Sequence, residues 1–104
     1  GDVYKRQSQI YIIIYDSSLW YRGFGTSALI NLLIKIFDEL QLHRAYMDIP
    51  SNNPSAIHMA EKAGFVLEGK LRSTHFLNGE WHDSLIYGLL VNEYKTNNIA
   101  SLDK

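Results

Sequence analysis

Two glycines in the stretch Trp20-Tyr21-Arg22-Gly23-Phe24-Gly25-Thr26 set the architecture open to this chain, because they lie between the apolar run Ile10 to Tyr15 and the amphipathic run Ala28 to Leu40. Strand, glycine-rich turn, helix is a layout that presents backbone N–H groups to an anion. Gly23 and Gly25 carry no Cβ, so the chain can take up unusual φ/ψ there and a phosphate can approach the main chain closely. A helix starting near Thr26 adds its unpaired first-turn N–H groups and the positive end of its dipole. The stretch reads as a pyrophosphate site. A tight turn with no ligand is the competing reading of the glycines alone.

The flanking segments support an α/β chain. Ile10-Tyr11-Ile12-Ile13-Ile14-Tyr15 is apolar or aromatic throughout, which suits a strand buried on both faces, and Asp16-Ser17-Ser18 breaks it. Ala28, Leu29, Leu32, Leu33, Ile36, Phe37 and Leu40 fall at helical spacing, so one helix face is expected to pack on the sheet. Arg44 to Ile49 reads as a second strand, and strand, crossover helix, strand is the βαβ unit of a parallel pair. Asn53-Pro54 is a helix start, with Asn at the cap and Pro at the first helical position, and Gly64 is placed to end that helix in the left-handed conformation after about Ala63. Phe65-Val66-Leu67 starts a further strand, and Leu71 to Leu90 reads as a hairpin about Asn78-Gly79, the dipeptide that favours a type I′ turn.

At 104 residues there is room for one domain, and ten Lys+Arg against eleven Asp+Glu give a net charge of −1. That balance argues against a broad nucleic-acid or membrane surface, so neither is expected as a partner. The absence of cysteine removes disulfides and thiolate nucleophiles and fits a cytoplasmic protein. His43 and His58 lack the companions a metal site needs, so no metal is expected. Residues 1–7 differ in pattern from the rest of the chain and read as a non-native or disordered lead, with the domain over 8–95 and a polar, frayed tail over 96–104.

The order β, glycine turn, α, β, Asn-Pro α, β-hairpin resembles the GNAT acetyltransferases, and it does so from Ile10 to about Tyr94. Gly23-Phe24-Gly25 matches the second half of that family's glycine-rich acetyl-CoA motif, with Trp20 where Gln or Arg is commonest. The segment Asn53 to Gly69, with Phe76-Leu77-Asn78-Gly79-Glu80-Trp81-His82-Asp83, resembles the RimJ/RimL-like branch, whose members acetylate protein N-termini and some small amines. The resemblance implies a GNAT-like mixed sheet flanked by helices. It also implies an omission: the family's domain begins with further strands and a pair of helices that form much of the amine pocket, and nothing before Ser8 supplies them.

In that family an amine attacks the acetyl thioester directly, with acetyl-CoA as co-substrate. Carried onto this chain, the resemblance puts the pyrophosphate on the amides of Arg22, Gly23, Phe24, Gly25 and Thr26, with the Arg22 side chain available to a phosphate. The backbone of Ile13, Ile14 and Tyr15 runs beside the pantetheine and offers an N–H to the thioester oxygen, an effect worth ~3 kcal/mol. Asn53 bonds the cofactor arm. Where many relatives place a tyrosine acid this chain has Ala60, so Ser55 is the weaker substitute. His75 stands where RimL-like enzymes carry a glutamate base, and its ordinary pKa of about 6.5 suits a base near neutral pH.

Each assignment has a plainer alternative. Asn53 caps a helix whether or not it meets a ligand, His75 also reads as a surface or packing residue of the hairpin, and Trp81, His82 and Asp83 read equally as the lining of an acceptor site or as cross-strand packing. Gly23-Phe24-Gly25-Thr26-Ser27-Ala28 satisfies the dinucleotide fingerprint too, with Asp48 about where a ribose-binding acid belongs. Against that rival, Asp16 to Arg22 separates strand from glycines, and the hairpin breaks the repeating βα order. A truncated, inactive coenzyme A-binding fragment is the non-enzymatic alternative. The acceptor amine stays open between protein N-termini, polyamines and other small amines, and the Tyr- and Ile-rich elements are compatible with a homodimer.

Overall fold

A computed structural model of the chain describes the backbone of residues 10–14 and all of residues 25–97. The elements are β1 (Ile10–Ile14), α1 (Thr26–Ile34), a π-helical turn (Lys35–Glu39), β2 (Arg44–Pro50), α2 (Pro54–Lys62), β3 (Val66–Leu77), β4 (Glu80–Leu90) and α3 (Val91–Asn97). They form a four-stranded mixed sheet in the order β1-β2-β4-β3. β1 runs parallel to β2, as the βαβ reading requires, and β4 inserts antiparallel between β2 and β3.

The strand period of two divides the sheet into unlike faces. Ala45, Met47 and Ile49 of β2 are fully buried and lie opposite Leu89, Tyr87 and Leu85 of β4. With Leu29, Ile30, Leu33, Ile36 and Phe37, and with Ala56 and Ala60 of α2 and its C-cap Ala63, they make one core on one side of the sheet. Alternate residues Arg44, Tyr46 and Asp48 are only half-buried and share the other face with Ser84 and Gly88. That polar face carries the candidate site.

The two anticipated stop signals operate as the sequence suggests. Gly64 sits at φ +93, the Gly64 N–H donates to the Glu61 carbonyl at 3.1 Å, and the Phe65 N–H donates to the Ala60 carbonyl at 3.0 Å, which together make a Schellman ending for α2. Asn78 and Gly79 take φ of 53° and 78°, both left-handed, as a type I′ turn demands.

Three expectations need correction. The run Ala28 to Leu40 is not one α-helix: after Ile34 it widens into a π turn, closed by the Leu40 N–H on the Lys35 carbonyl at 2.9 Å. The wider turn keeps Ile36 and Phe37 in the core and carries Leu40 out of the apolar stripe. The chain from Val66 to Leu77 is a single strand interrupted by two register shifts, not a short strand followed by a separate hairpin. Thr96 and Asn97 belong to α3, not to a frayed tail. α3 starts because the Glu93 carboxylate accepts the Leu90 N–H at 2.9 Å, the Glu half of a capping box. Tyr94 then stacks on Phe37 at 4.8 Å and its hydroxyl donates to Asp38 at 2.9 Å.

Candidate active site

The site gathers at one end of the sheet, where β1 and β2 finish. Ile14 is level with Asp48 in the parallel register, so the end of β1 and the Asp48 carboxylate stand side by side. Two residues beyond Asp48 the strand ends at Pro50, and Asn53 starts α2. The Asn53 side-chain oxygen accepts the Ala56 N–H at 3.0 Å, so its capping role is realised. Ser55, in the first turn of α2, is exposed. Among the described residues it shares no hydrogen bond with Asp48 or His75.

His75 reaches this end by an irregularity in β3. Between Leu71 and His75 the register with β4 shifts, and Ser73 takes a left-handed φ of 51°. Two bonds hold that bulge: the Ser73 N–H donates to the Asp83 carboxylate at 2.8 Å, and Thr74 and the fully buried Ser84 share a hydroxyl–hydroxyl bond. The Ser73 N–H draws the Asp83 pKa down, with Lys70 adding to the effect. The bulge carries the imidazole across β4, and its Nε2 lies 3.0 Å from Asp48 Oδ1. Both side chains are partly shielded, at 26% and 34% exposed.

At the far end of the same face Arg44 and Glu68 form a two-point ion pair, with the guanidinium 5.5 Å above the Tyr46 ring. This bonding holds the Glu68 carboxyl below its ordinary range and raises Arg44. Gly88 lies beneath: a Cβ there would run into the Glu68 carboxylate.

Of the residues proposed for the cofactor, Gly25, Thr26 and Asn53 are described, as is the backbone of Ile13 and Ile14 in β1. Gly25 is the N-cap of α1 at φ −118, ψ −166, an extended conformation open to any residue, so it is not used for left-handed backbone; it contributes only the missing side chain. Gly25 has no side chain with which to cap α1, and a helix start of this kind carries amides that an anion can meet. Tyr15, Arg22, Gly23 and Phe24 lie outside the described residues. Trp81 packs edge-on against Phe76 at 5.2 Å, and the Asp83 N–H donates to Ser51, so the cross-strand reading of Trp81 and Asp83 is realised.

A family model for the acetyltransferase (GNAT) domain matches residues 11–86. The chain belongs to the GNAT acetyltransferases. The sheet agrees with that family and excludes the doubly wound rival, since β4 enters antiparallel where a repeating βα order needs a parallel strand. Asp48, the rival's ribose acid, is instead bonded to His75. Among GNAT relatives, the chain is 32% identical over 91 residues to a spermidine N(1)-acetyltransferase of Vibrio cholerae, covering 88% of this chain and 53% of the relative. It is 34% identical over 74 residues to the putative ribosomal N-acetyltransferase YdaF of Bacillus subtilis, covering 71% and 40%. A dodecameric structure of spermidine N-acetyltransferase from Vibrio cholerae superposes with a TM-score of 0.67 at 33% identity, covering 72% of this chain and 44% of that one. The chain thus spans about half the length of the curated relatives it matches.

The residue that sequence reasoning missed as a site member is Asp48 in its bond to His75. The alternation of β2 does put Asp48 on the face opposite Met47 and Ile49. Its pairing with a side chain 27 positions later depends on β4 lying between β2 and β3 and on the bulge before His75, and neither is written in local pattern.

Proposed function

We propose that this chain is the cofactor-binding and proton-transfer part of an N-acetyltransferase, moving the acetyl group of acetyl-CoA to a primary amine. The observation that supports the reading is the placement at one sheet end of the end of β1, the Asn53 cap and the Asp48–His75 pair. The amides from Arg22 to Thr26 hold the pyrophosphate, the backbone of Ile13, Ile14 and Tyr15 lies along the pantetheine, and Asn53 bonds the cofactor arm. The ammonium form of the acceptor gives one proton to a base, for which His75 is the choice. The freed amine attacks the thioester carbon, the C–S bond breaks, and the departing thiolate takes a second proton from the former amine nitrogen, directly, through water or through Ser55. A backbone N–H at the end of β1 stabilises the oxyanion.

The names of the relatives favour a polyamine such as spermidine over a protein N-terminus as acceptor. Incubating the 104-residue chain with acetyl-CoA and either spermidine or a peptide with a free N-terminus, while following coenzyme A thiol, tests this. Thiol release with spermidine and not with the peptide supports the polyamine reading. Binding of acetyl-CoA with no transfer to any amine refutes the enzyme reading and leaves a coenzyme A-binding fragment.

Self-association belongs to the same reading. Among the described residues β3 is an edge strand with Val66, Leu67 and Leu71 each about half exposed and Phe76 more so, Trp81 of the neighbouring β4 is exposed beside Phe76, and a related structure is dodecameric. Sedimentation of the chain against Leu71→Lys and Trp81→Lys should show an assembly that the variants dissociate. A monomer at every concentration refutes it.

A further inference from the structure

We infer that Asp48 is a positioning residue that fixes His75 in a single tautomer, with the proton on Nε2 and the lone pair on Nδ1, so that Nδ1 is the nitrogen that takes the acceptor's proton. The inference rests on the acetyl-transfer reading above for its chemical purpose and on the geometry for its substance. Nε2 is 3.0 Å from Asp48 Oδ1, and an ionised carboxylate only accepts, so the neutral imidazole must donate from Nε2. The other ring nitrogen has no hydrogen-bond partner among the described residues. A neutral imidazole with one nitrogen donating has the other free to accept, and which one is free is decided by the donor's partner.

The surroundings make the contact an orienting one. Asp48 is fixed on the inner strand β2, level with Ile14 of β1 on one side and Ile86 of β4 on the other. His75 is fixed by the bulge, through Ser73 on Asp83 and Thr74 on Ser84, so neither partner owes its place to the other alone. The backbone thus brings both groups to the bond, and the bond selects the ring's proton. When Nδ1 takes a proton from the ammonium, the ring becomes an imidazolium with both nitrogens donating. Its Nε2–H remains on Asp48, which balances the new charge. The amine is left neutral, with its lone pair free for the thioester carbon, and the imidazolium returns the proton to water after turnover. Proton and charge balance without any further reactant.

The test uses the intact chain labelled with ¹⁵N-histidine and long-range ¹⁵N–¹H spectra, which distinguish the two neutral tautomers by nitrogen shift. The chain has four histidines, and His75→Gln assigns the relevant signals by their loss. His75 is expected as the Nε2–H form in the unsubstituted protein, to become a mixture in Asp48→Ala, and to keep the Nε2–H form in Asp48→Asn, whose amide oxygen still accepts. Turnover with acetyl-CoA and amine is expected to fall about 100-fold or more in His75→Gln and at least ten-fold in Asp48→Asn, in kcat with little change in KM, since positioned general bases contribute about 10²–10⁴. An Nδ1–H tautomer in the unsubstituted chain, or a tautomer indifferent to Asp48→Ala, overturns the inference even if acetyl transfer is observed. Undiminished kcat in Asp48→Asn, which keeps the tautomer and loses the negative charge, overturns the charge-balancing role of Asp48. Failure of the chain to bind acetyl-CoA overturns the proposed function, and the tautomer spectra still decide the Asp48–His75 assignment.

Discussion

Asn53 is asked to do two things, and they can be separated. Its side-chain oxygen accepts the Ala56 N–H at 3.0 Å, which satisfies one of the orphan donors at the start of α2, and its amide is also proposed to meet the cofactor arm. Asn53→Ala removes both roles. Loss of an N-cap costs about 1 kcal/mol, which for a domain near this size lowers Tm by about 4–8 °C. Asn53→Ser keeps a capping oxygen and lacks the amide, so its Tm should stay within about 2 °C of the unsubstituted chain. Acetyl-CoA affinity should nevertheless weaken in Asn53→Ser, by roughly two- to twelve-fold, the worth of one hydrogen bond of about 0.5–1.5 kcal/mol. Thermal melts by circular dichroism and calorimetric titration of the same three proteins provide both readings. A Tm unchanged in Asn53→Ala would refute the capping account of α2. An affinity equal in Asn53→Ser and the unsubstituted chain would refute the cofactor contact and leave Asn53 a cap alone.

Gly64→Ala should destabilise by about 1–2 kcal/mol in chemical denaturation, because φ +93 is strained for alanine and the new Cβ would sit 2.6 Å from the Asn97 amide nitrogen. Gly69→Ala, with nothing within 4 Å of its Cβ, should change stability by no more than about 0.5 kcal/mol. The Tyr94 phenol is pushed up to about 12 by burial and by its bond to Asp38. Its protonated form is favoured by folding, so that stabilisation is complete below the unfolded value of about 10 and is lost as pH rises from there towards the folded value. Ultraviolet titration should show a late-ionising tyrosine that disappears in Tyr94→Phe. The Glu68 carboxyl is lowered by its bonds to Arg44, so its stabilisation is present above the unfolded value of about 4.3 and fades as pH falls below it. Melting temperatures of Glu68→Gln should therefore lie below those of the unsubstituted chain near neutrality and converge with them in acid; a constant offset at all pH would contradict the ion-pair account.

The legible parts of the fold are those where one residue type answers one local demand. Gly64, Asn53 and Asn78-Gly79 announce a left-handed helix end, a cap and a type I′ turn, and each is found. The π turn is not legible, because the same apolar spacing serves an α-helix until the ring widens with both Ile36 and Phe37 buried, Phe37 against Tyr94. α3 is easily overlooked although Glu93 stands three residues after Leu90, since a polar segment near a chain end offers little hydrophobic period to follow. Of the residues proposed for the site, His75 can be picked out singly, while the glycine turn up to Phe24 lies outside the described residues. The pairing of His75 with Asp48 cannot, because it is made by sheet order and a bulge that side chains distant in sequence hold open.

The glycine turn and the start of α1 are proposed to hold the pyrophosphate of acetyl-CoA. Calorimetric titration of the 104-residue chain with acetyl-CoA, with NAD as a parallel ligand and Gly25→Glu as the control, tests it most directly. Saturable binding of acetyl-CoA, absent for NAD and abolished by a carboxylate at position 25 in a variant that remains folded, is the predicted result. A folded chain that ignores acetyl-CoA, or one that binds it equally well as Gly25→Glu, would contradict the account.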